Sequence, residues 1–189
     1  MSGLVVLLDA NVIYPAPLRD VFVQMASTGI IRARWTNEIH EEWIAALLQN
    51  EPQRRRASLE RTRDFMNDAV RDCLVTNYQR HISKINLPDP NDRHVLAAAI
   101  EGKCQFIVTN NLKDFPAKDL KTFNIVAISP DAFIHGLLSQ NSSMVAKCLQ
   151  DVRARLIKPP ITENQYLDIL ERQGLTQTLS FIRTHSLKV

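Results

Sequence analysis

LVVLLDANV, residues 4–12, begins with five apolar residues in succession and then changes abruptly at Asp9. A strand that is covered by helices on both faces needs apolar side chains at every position, so this run is typical of an inner strand of a parallel sheet. Similar runs recur at residues 105–109 and 124–128, and residues 30–34 are a further candidate. Helical spacing of apolar residues separates these runs. The alternation predicts an α/β fold, a three-layer sandwich in which helices flank a central parallel sheet.

The chain from Pro130 onwards has a different character, because helical patterns follow one another there without a further strand pattern. Residues 130–189, arranged in the three helices that we expect, would form only a thin core by themselves. We therefore predict an α/β domain at residues 1–129 and a helical C-terminal extension at residues 130–189 that packs on its core.

Composition excludes several classes of protein. The 189 residues are 45% hydrophobic and 23% charged, and the formal net charge of +3 is a weak hint of an anionic partner. No apolar run approaches the roughly 18 residues that span a bilayer and no secretion signal is recognisable, so we expect a soluble, cytoplasmic protein. The three cysteines lack metal-binding spacing, and the five glycines form no GxGxxG segment. Disulfides, structural zinc and dinucleotide cofactors are therefore not expected.

Polar side chains follow the predicted strands at the edge where open parallel sheets bind ligands. Asp9 and Asn11 come directly after the first strand. Asn111 and Asp114 come shortly after the strand predicted at residues 105–109. Asp92 lies at the start of the helix that leads into that second strand. Because such a helix begins at the edge where the strands end, all three groups are expected to converge.

Most of these acidic residues also have an ordinary structural explanation. Asp89 is placed to cap a helix whose first residue is Pro90, and Asp92 in its first turn would interact favourably with the helix dipole. Asp114 could be a turn residue. Asp9 is harder to explain in this way, since aspartate is depleted in strands and no turn cluster follows it.

Convergence of these carboxylates favours a metal site. Carboxylates a few ångströms apart repel by roughly 4 kcal/mol per pair at an effective dielectric of about 20, so such a cluster needs protons or a cation. An all-oxygen set is suited to Mg²⁺ or Mn²⁺ and unsuited to zinc. We therefore expect Asp92 to be a metal ligand and Asp89 to be mainly a cap.

Four segments of the chain resemble the four acidic motifs of PIN-domain ribonucleases: LLDANV, TNEIHEEW, LPDPNDRHVLAAAI and IVTNNLKDFP. They look most like the VapC-like toxins of toxin–antitoxin pairs, and the resemblance extends from Leu4 to about Ile128. It implies an endoribonuclease that depends on Mg²⁺ or Mn²⁺ and leaves a 5′-phosphate and a 3′-hydroxyl. It also implies RNA as substrate, a cognate antitoxin protein that occludes the site and, as is common in the family, a homodimer.

The resemblance assigns roles to individual residues. Asp9, Glu42, Asp92 and Asp114 match the acidic positions that hold one or two divalent ions. Asn11, Thr109 and Asn111 lie beside them as supporting groups that orient a ligand or phosphate. Many family members carry an aspartate at the position of Asn111, so the negative charge of this site is lower than in those members.

Glu42 is the acidic residue whose position is least determined by local pattern. Its helix, which begins after a Thr36 cap, also carries Glu38 and Glu41. At 100° per residue Glu42 flanks the apolar face, whereas Glu38 and Glu41 are more consistent with solvated surface. Periodicity alone leaves the role of Glu42 open, and only the resemblance selects it. We interpret His40 and His94 as packing or surface residues, since no metal-binding spacing accompanies them.

RNA would have to be held by groups outside the acidic cluster. Arg54, Arg55 and Arg56 begin a basic helical stretch, extending over residues 54–63, that could neutralise backbone phosphates. The alternative interpretation is a solvated helix face, which fits these residues equally well. Helical spacing of the apolar residues Leu59, Met66, Val70 and Cys73 extends this predicted helix over residues 59–73.

Two other functions remain open at this stage. A phosphatase of the haloacid dehalogenase type also has an aspartate after its first strand, but it needs a second aspartate two residues later, where this chain has Asn11. A PIN fold that binds RNA or protein without cleaving it is the stronger alternative, and the neutral Asn111 makes it conceivable.

Overall fold

The computed structural model describes residues 3–189 and contains a parallel sheet of four strands in the order β2-β1-β3-β4. The strands are β1 (Leu4–Leu8), β2 (Ile31–Arg34), β3 (Phe106–Val108) and β4 (Val126–Ile128). The inner strand β1 pairs with β2 on one side and with β3 on the other, in the register Leu8↔Val108. The predicted α/β fold with a central parallel sheet is confirmed.

Helices cover the sheet and continue to the C-terminus. Those before the last strand are α1 (Ala10–Ile13), α2 (Ala16–Ser27), α3 (Asn37–Asn50), α4 (Arg56–Ala69), α5 (Gln79–Ile82), α6 (Arg93–Glu101) and α7 (Ala117–Leu120). Those after it are α8 (Pro130–Gln140), α9 (Ser142–Ala154), α10 (Glu163–Arg172) and α11 (Thr176–Thr184). No helix within residues 3–189 is long and apolar enough to cross a membrane.

Local signals in the sequence set several of these boundaries. The hydroxyl of Thr36 accepts a hydrogen bond from the backbone N–H of Ile39, which caps α3 as predicted. Gly29, with a φ of 79°, reverses the chain after α2, a conformation that glycine adopts without steric cost. Thr162 and Gln165 form the reciprocal hydrogen bonds of a capping box at the start of α10.

The helix expected over residues 59–73 is shorter than predicted, because α4 ends at Ala69. Val70 is extended, and the chain then runs beside the end of β2, where Trp35 and Leu74 form a parallel bridge. Val70 and Cys73 are nevertheless buried in the core. Both are apolar because they are buried, although the chain between them forms a turn, and their spacing matched that of a helix.

The C-terminal region contains four helices where we expected three, and it shares its core with the sheet domain. The ring of Phe133 on α8 lies 6.1 Å from that of Phe22 on α2 and 5.6 Å from that of Phe106 on β3. Arg155 donates a hydrogen bond of 2.6 Å to the buried Gln24 on α2. The extension therefore covers the face of the sheet domain that α2 presents.

Candidate active site

Asp9 lies where β1 ends and caps the short helix α1. Its backbone N–H bonds to the carbonyl of Val108, and its Oδ1 accepts a hydrogen bond of 2.7 Å from the N–H of Ala10. The side chain is only 6% exposed. Burial raises the pKa of the Asp9 carboxyl above its ordinary value, while hydrogen bonds from Thr109 and Ala10 act in the opposite direction. The carboxylate is therefore a fixed, desolvated acceptor, and its Oδ1 is bonded to the backbone of α1.

Asn11 and Thr109 hold the second oxygen of that carboxylate. Thr109 donates to Oδ2 of Asp9 at 2.7 Å, and the amide of Asn11 donates to the same oxygen at 2.6 Å. The carbonyl oxygen of Asn11 accepts from the backbone N–H of Asn110 at 2.9 Å, and Thr109 accepts from the N–H of Asn111 at 3.0 Å. These bonds tie the ends of β1 and β3 together. Of the three predicted supporting residues, Asn11 and Thr109 contact Asp9 directly, and Asn111 is linked to it through Thr109.

Asp89 and Asp92 have separate positions at the start of α6. Asp89 accepts a hydrogen bond of 2.8 Å from the N–H of Asn91 and caps a 3₁₀ turn, Pro90–Asp92, that precedes the helix. Asp92 points into the cleft instead. Burial, followed by the negative charges of Asp9, Asp114 and Asp89, raises the pKa of Asp92 to about 6. The crowding of like charges that the sequence predicted is therefore present at Asp92.

Asn111 precedes a second 3₁₀ turn, Leu112–Asp114, that follows β3 and ends at Asp114. The amide of Asn111 donates a hydrogen bond to Oδ2 of Asp114. Asn111 lines the cleft, whereas Asp114 is not among its lining residues and acts on Asp92 through its charge. Asp114 is therefore placed at the site's edge rather than on its wall.

Glu42 reaches the same cleft from α3, and a histidine that we interpreted as packing lies against it. Oε1 of Glu42 lies 2.8 Å from Nε2 of His94, which is 6% exposed. Burial lowers the pKa of His94, but the hydrogen bond and the charge of Glu42 outweigh it, so that the pKa lies above its ordinary value. His94 carries no metal-binding spacing, and the sequence offered only its closeness to Asp92 as a signal.

These side chains share one cleft of about 370 Å³. Its polar wall consists of Asp9, Asn11, Glu42, Asp92 and Asn111, and its aromatic wall of Tyr14 and Trp43. A larger cavity of about 630 Å³ lies beside β4, but it is mainly apolar and none of its lining residues is acidic. The smaller cleft is therefore the candidate active site.

The polar groups of the cleft are of the chemical type that binds a hard divalent cation. All of its polar wall groups offer oxygen, the ligand atom that Mg²⁺ and Mn²⁺ prefer. Within residues 3–189, however, no three His, Cys, Asp or Glu side chains lie close enough together to form a ready-made ligand set. Mg²⁺ commonly keeps several waters and binds through one or two carboxylates, so this spacing is compatible with such an ion.

The predicted RNA-binding arginines differ from one another in their contacts. Arg54 pairs with Glu51 at 2.8 Å, and Arg56 pairs with both Glu41 and Glu60. Arg55 is exposed and forms no ion pair within the described residues. Two of the three charges are thus partly neutralised by the protein's own carboxylates.

Comparison with known proteins identifies the family. The sequence profile described as "PIN domain" matches residues 5–113, more than half of the chain. This chain is a PIN-domain protein. The profile of the "VapC50 C-terminal domain" matches residues 130–184 of this PIN-domain chain. The second match falls in the helical extension.

One relative of this PIN-domain protein comes from Mycobacterium tuberculosis and carries the name "Putative ribonuclease VapC50". The two sequences are 39% identical over 82 residues, which cover 43% of this chain and 48% of the relative. The match thus spans about half the length of the relative. No solved structure shows significant similarity to this chain.

Proposed function

We propose that this protein is a divalent-metal-dependent endoribonuclease that hydrolyses phosphodiester bonds in RNA. The observation that carries the proposal is the convergence of Asp9, Glu42 and Asp92, which come from three separate elements, on one cleft. The relative's printed name, which describes a ribonuclease, supports the same chemistry. Residues 1–129 would form the nuclease domain, and residues 130–189 would support it as a helical extension.

Asp9, Glu42 and Asp92 would hold one or two Mg²⁺ or Mn²⁺ ions, with Asp114 contributing charge from the site's edge. When bound, such an ion orients the scissile phosphate, promotes formation of hydroxide and stabilises charge on the leaving oxygen. The protein's own contribution is to keep the acceptors in place. Thr109 and Asn11 fix the orientation of Asp9, and the neutral amide of Asn111 places a polar group on the wall without adding charge.

A long, flexible polymer could reach the cleft, since it is open to solvent and is bordered by the rings of Tyr14 and Trp43. The resemblance to PIN-domain ribonucleases implies that activated water leaves a 5′-phosphate and a 3′-hydroxyl, without participation of the 2′-hydroxyl. Such chemistry needs no histidine pair in contact with the substrate, and His94 faces Glu42 rather than open solvent.

We also propose that the protein acts as the toxin of a toxin–antitoxin pair in the cytoplasm. The profile match of residues 130–184 to the VapC50 C-terminal domain supports this role, as does the relationship to the M. tuberculosis protein. The cognate antitoxin would block the cleft, and a homodimer is the oligomeric state that the family resemblance suggests.

Purified protein incubated with total RNA tests the nuclease proposal. Cleavage should occur with Mn²⁺ or Mg²⁺, stop with a chelator, and be lost in Asp9→Asn and Asp92→Asn variants. Asp131→Asn is a matched control, because Asp131 is also buried but accepts hydrogen bonds from the N–H groups of Gln177 and Thr178 at the start of α11. Cleavage that survives in Asp9→Asn, or that is equally strong in chelator, would contradict the proposal.

A PIN fold that binds RNA without cutting it is the second candidate. Two observations favour it: the amide of Asn111 lies on the cleft wall, and no preformed three-residue ligand set exists within residues 3–189. The same incubation separates the two functions. A protein that only binds would retain RNA in a binding assay, with or without metal, and the length of the RNA would stay unchanged.

A further inference from the structure

Among residues 3–189, His94 is the one buried residue outside the acidic set that contacts a member of that set through a charged pair. It lies two residues after Asp92 on α6, and its Nε2 approaches Oε1 of Glu42 on α3 at 2.8 Å. An ionised carboxylate can only accept hydrogen bonds, so Nε2 is the donor in this contact. The start of α6 therefore supplies one acidic residue to the cleft and fixes the position of another.

Two effects favour conformations in which the side chain of Glu42 points away from the cleft. Its side chain is 41% exposed, and fixing a long glutamate side chain in one rotamer costs conformational entropy. In addition, the charges of Glu42 and Asp9 repel, which contributes to the raised pKa of Asp9. The contact with His94 opposes both effects, since it selects one rotamer and places a donor beside the carboxylate.

The imidazole ring of His94 also has a neighbour on the side away from Glu42. Nδ1 of His94 is buried without a hydrogen-bond partner in the described residues, and it lies 3.7 Å from Oε2 of Glu38. That same oxygen accepts a hydrogen bond of 2.7 Å from the hydroxyl of Tyr78. Glu38 and Glu42 are four residues apart on α3 and so lie on one face of the helix. The ring is thus enclosed between two glutamates, one of which is anchored by Tyr78.

We propose that His94 is a positioning residue that holds the Glu42 carboxylate at the metal-binding cleft. This inference rests on the proposed function for the purpose of the cleft, but the contact with Glu42 has its own measurable consequence. Without His94, Glu42 is expected to rotate into solvent, and the cleft would present fewer carboxylates to a divalent ion. His94 does not touch substrate in this arrangement.

Calorimetric titration with Mn²⁺, together with an RNA cleavage assay, tests the proposal in the full-length protein. His94→Leu should lower Mn²⁺ affinity or cleavage roughly 10- to 100-fold, the range typical of groups that orient metal ligands. His94→Gln should recover most of the loss, because its amide N–H can donate to Glu42 from a similar position. Melting temperatures of both variants establish that the protein is folded during the titration.

His81 provides a matched control. Its Nε2 lies 2.8 Å from Oε2 of Glu101, the same kind of pair at the same distance, on the α5–α6 contact away from the cleft wall. His81→Leu should therefore leave Mn²⁺ affinity and cleavage unchanged. An effect of His81→Leu equal to that of His94→Leu would show that loss of any such pair disturbs the protein, and it would overturn the proposal.

A double-mutant cycle distinguishes positioning from a purely structural role. If His94 acts through Glu42, adding His94→Leu to Glu42→Gln should weaken Mn²⁺ binding no further than Glu42→Gln alone. Losses that multiply, or wild-type affinity in His94→Leu, would overturn the inference. A wild-type protein that cuts no RNA, but loses Mn²⁺ affinity on His94→Leu, would reject the nuclease function and leave the positioning role standing.

Discussion

Thr109 donates a hydrogen bond of 2.7 Å to Oδ2 of Asp9, although 100 residues separate the two in sequence. They meet because β1 and β3 are paired with Leu8 opposite Val108, so the residues that follow each strand lie side by side. Thr109 is fully buried, and its hydroxyl lowers the pKa of Asp9 against the effect of burial. This hydroxyl thus helps to orient the carboxylate at the centre of the cleft and opposes the effect of burial on its pKa.

Replacing Thr109 with valine, which has nearly the same shape, should therefore impair cleavage without leaving a cavity in the core. We expect a loss of roughly 10- to 100-fold, as for other groups that orient metal ligands. Without the hydroxyl the pKa of Asp9 should rise further, so the acid limb of the pH–rate profile should move to higher pH. Thr178→Val is the control, since Thr178 is equally buried but bonds to the carbonyl of Asp131. Equal activity of the two variants would argue against this role of Thr109.

Asp92 should destabilise the metal-free protein. Its pKa is raised from 3.8 to about 6, so the folded state binds this proton more tightly than the unfolded state does. The resulting stability is present below about pH 3.8 and is lost as the pH rises through about 6. Calorimetry in chelator near neutral pH should therefore show a higher melting temperature for Asp92→Asn than for wild type. Added Mn²⁺ should stabilise wild type more than the variant; an unchanged or lower melting temperature of Asp92→Asn in chelator would contradict the prediction.

Sequence patterns were sufficient for features that depend on burial and on strand ends. Asp9 stands out because an apolar strand stops at a carboxylate, and parallel strands bring Asn11, Thr109 and Asn111 to the same edge. The α/β fold followed from the same reasoning, since inner strands need apolar residues on both faces.

Features that depend on the meeting of distant side chains could not be predicted in this way. Glu42 and His94 are 52 positions apart in sequence and lie on different helices. Neither periodicity nor spacing indicates which side-chain rotamers bring two such residues into contact. The pairing of Arg56 with Glu41 is of the same kind. Burial of Val70 and Cys73 beyond the end of α4 also produced a false helical signal, because apolar spacing indicates burial and not backbone conformation.

His40 should make the fold sensitive to acid. The indole N–H of Trp43 donates to Nδ1 of His40 at 2.9 Å, which leaves Nε2 to donate to the side-chain oxygen of Asn67 at 3.1 Å. A proton on Nδ1 would face that N–H, and burial lowers the pKa of His40 to about 4. Because the unfolded state takes up this proton first, stability should fall as the pH drops from about 6.5 to about 4.

Urea unfolding measures the size of this effect. The linkage predicts a loss of about 2 kcal/mol between roughly pH 7 and pH 5 from this residue alone. A His40→Gln variant cannot titrate in this range, so it should be less stable near neutral pH but lose less stability on acidification than wild type. Parallel pH dependences of the two proteins would show that His40 is not responsible.

Arg55 should contribute more to RNA binding than its neighbours Arg54 and Arg56. It is exposed and free of ion pairs within residues 3–189, whereas Arg56 is held by Glu41 and Glu60. A free charge can release counterions from a phosphate, so Arg55→Ala should weaken binding evenly across sequences and reduce the slope of log K against log salt by about 1. Arg56→Ala should change the slope less, because its charge is already paired with Glu41 and Glu60 and is less able to neutralise a phosphate. Fluorescence anisotropy with RNA in the Asp9→Asn background, over a series of salt concentrations, measures both slopes, and an equal or larger change for Arg56→Ala would reject the assignment.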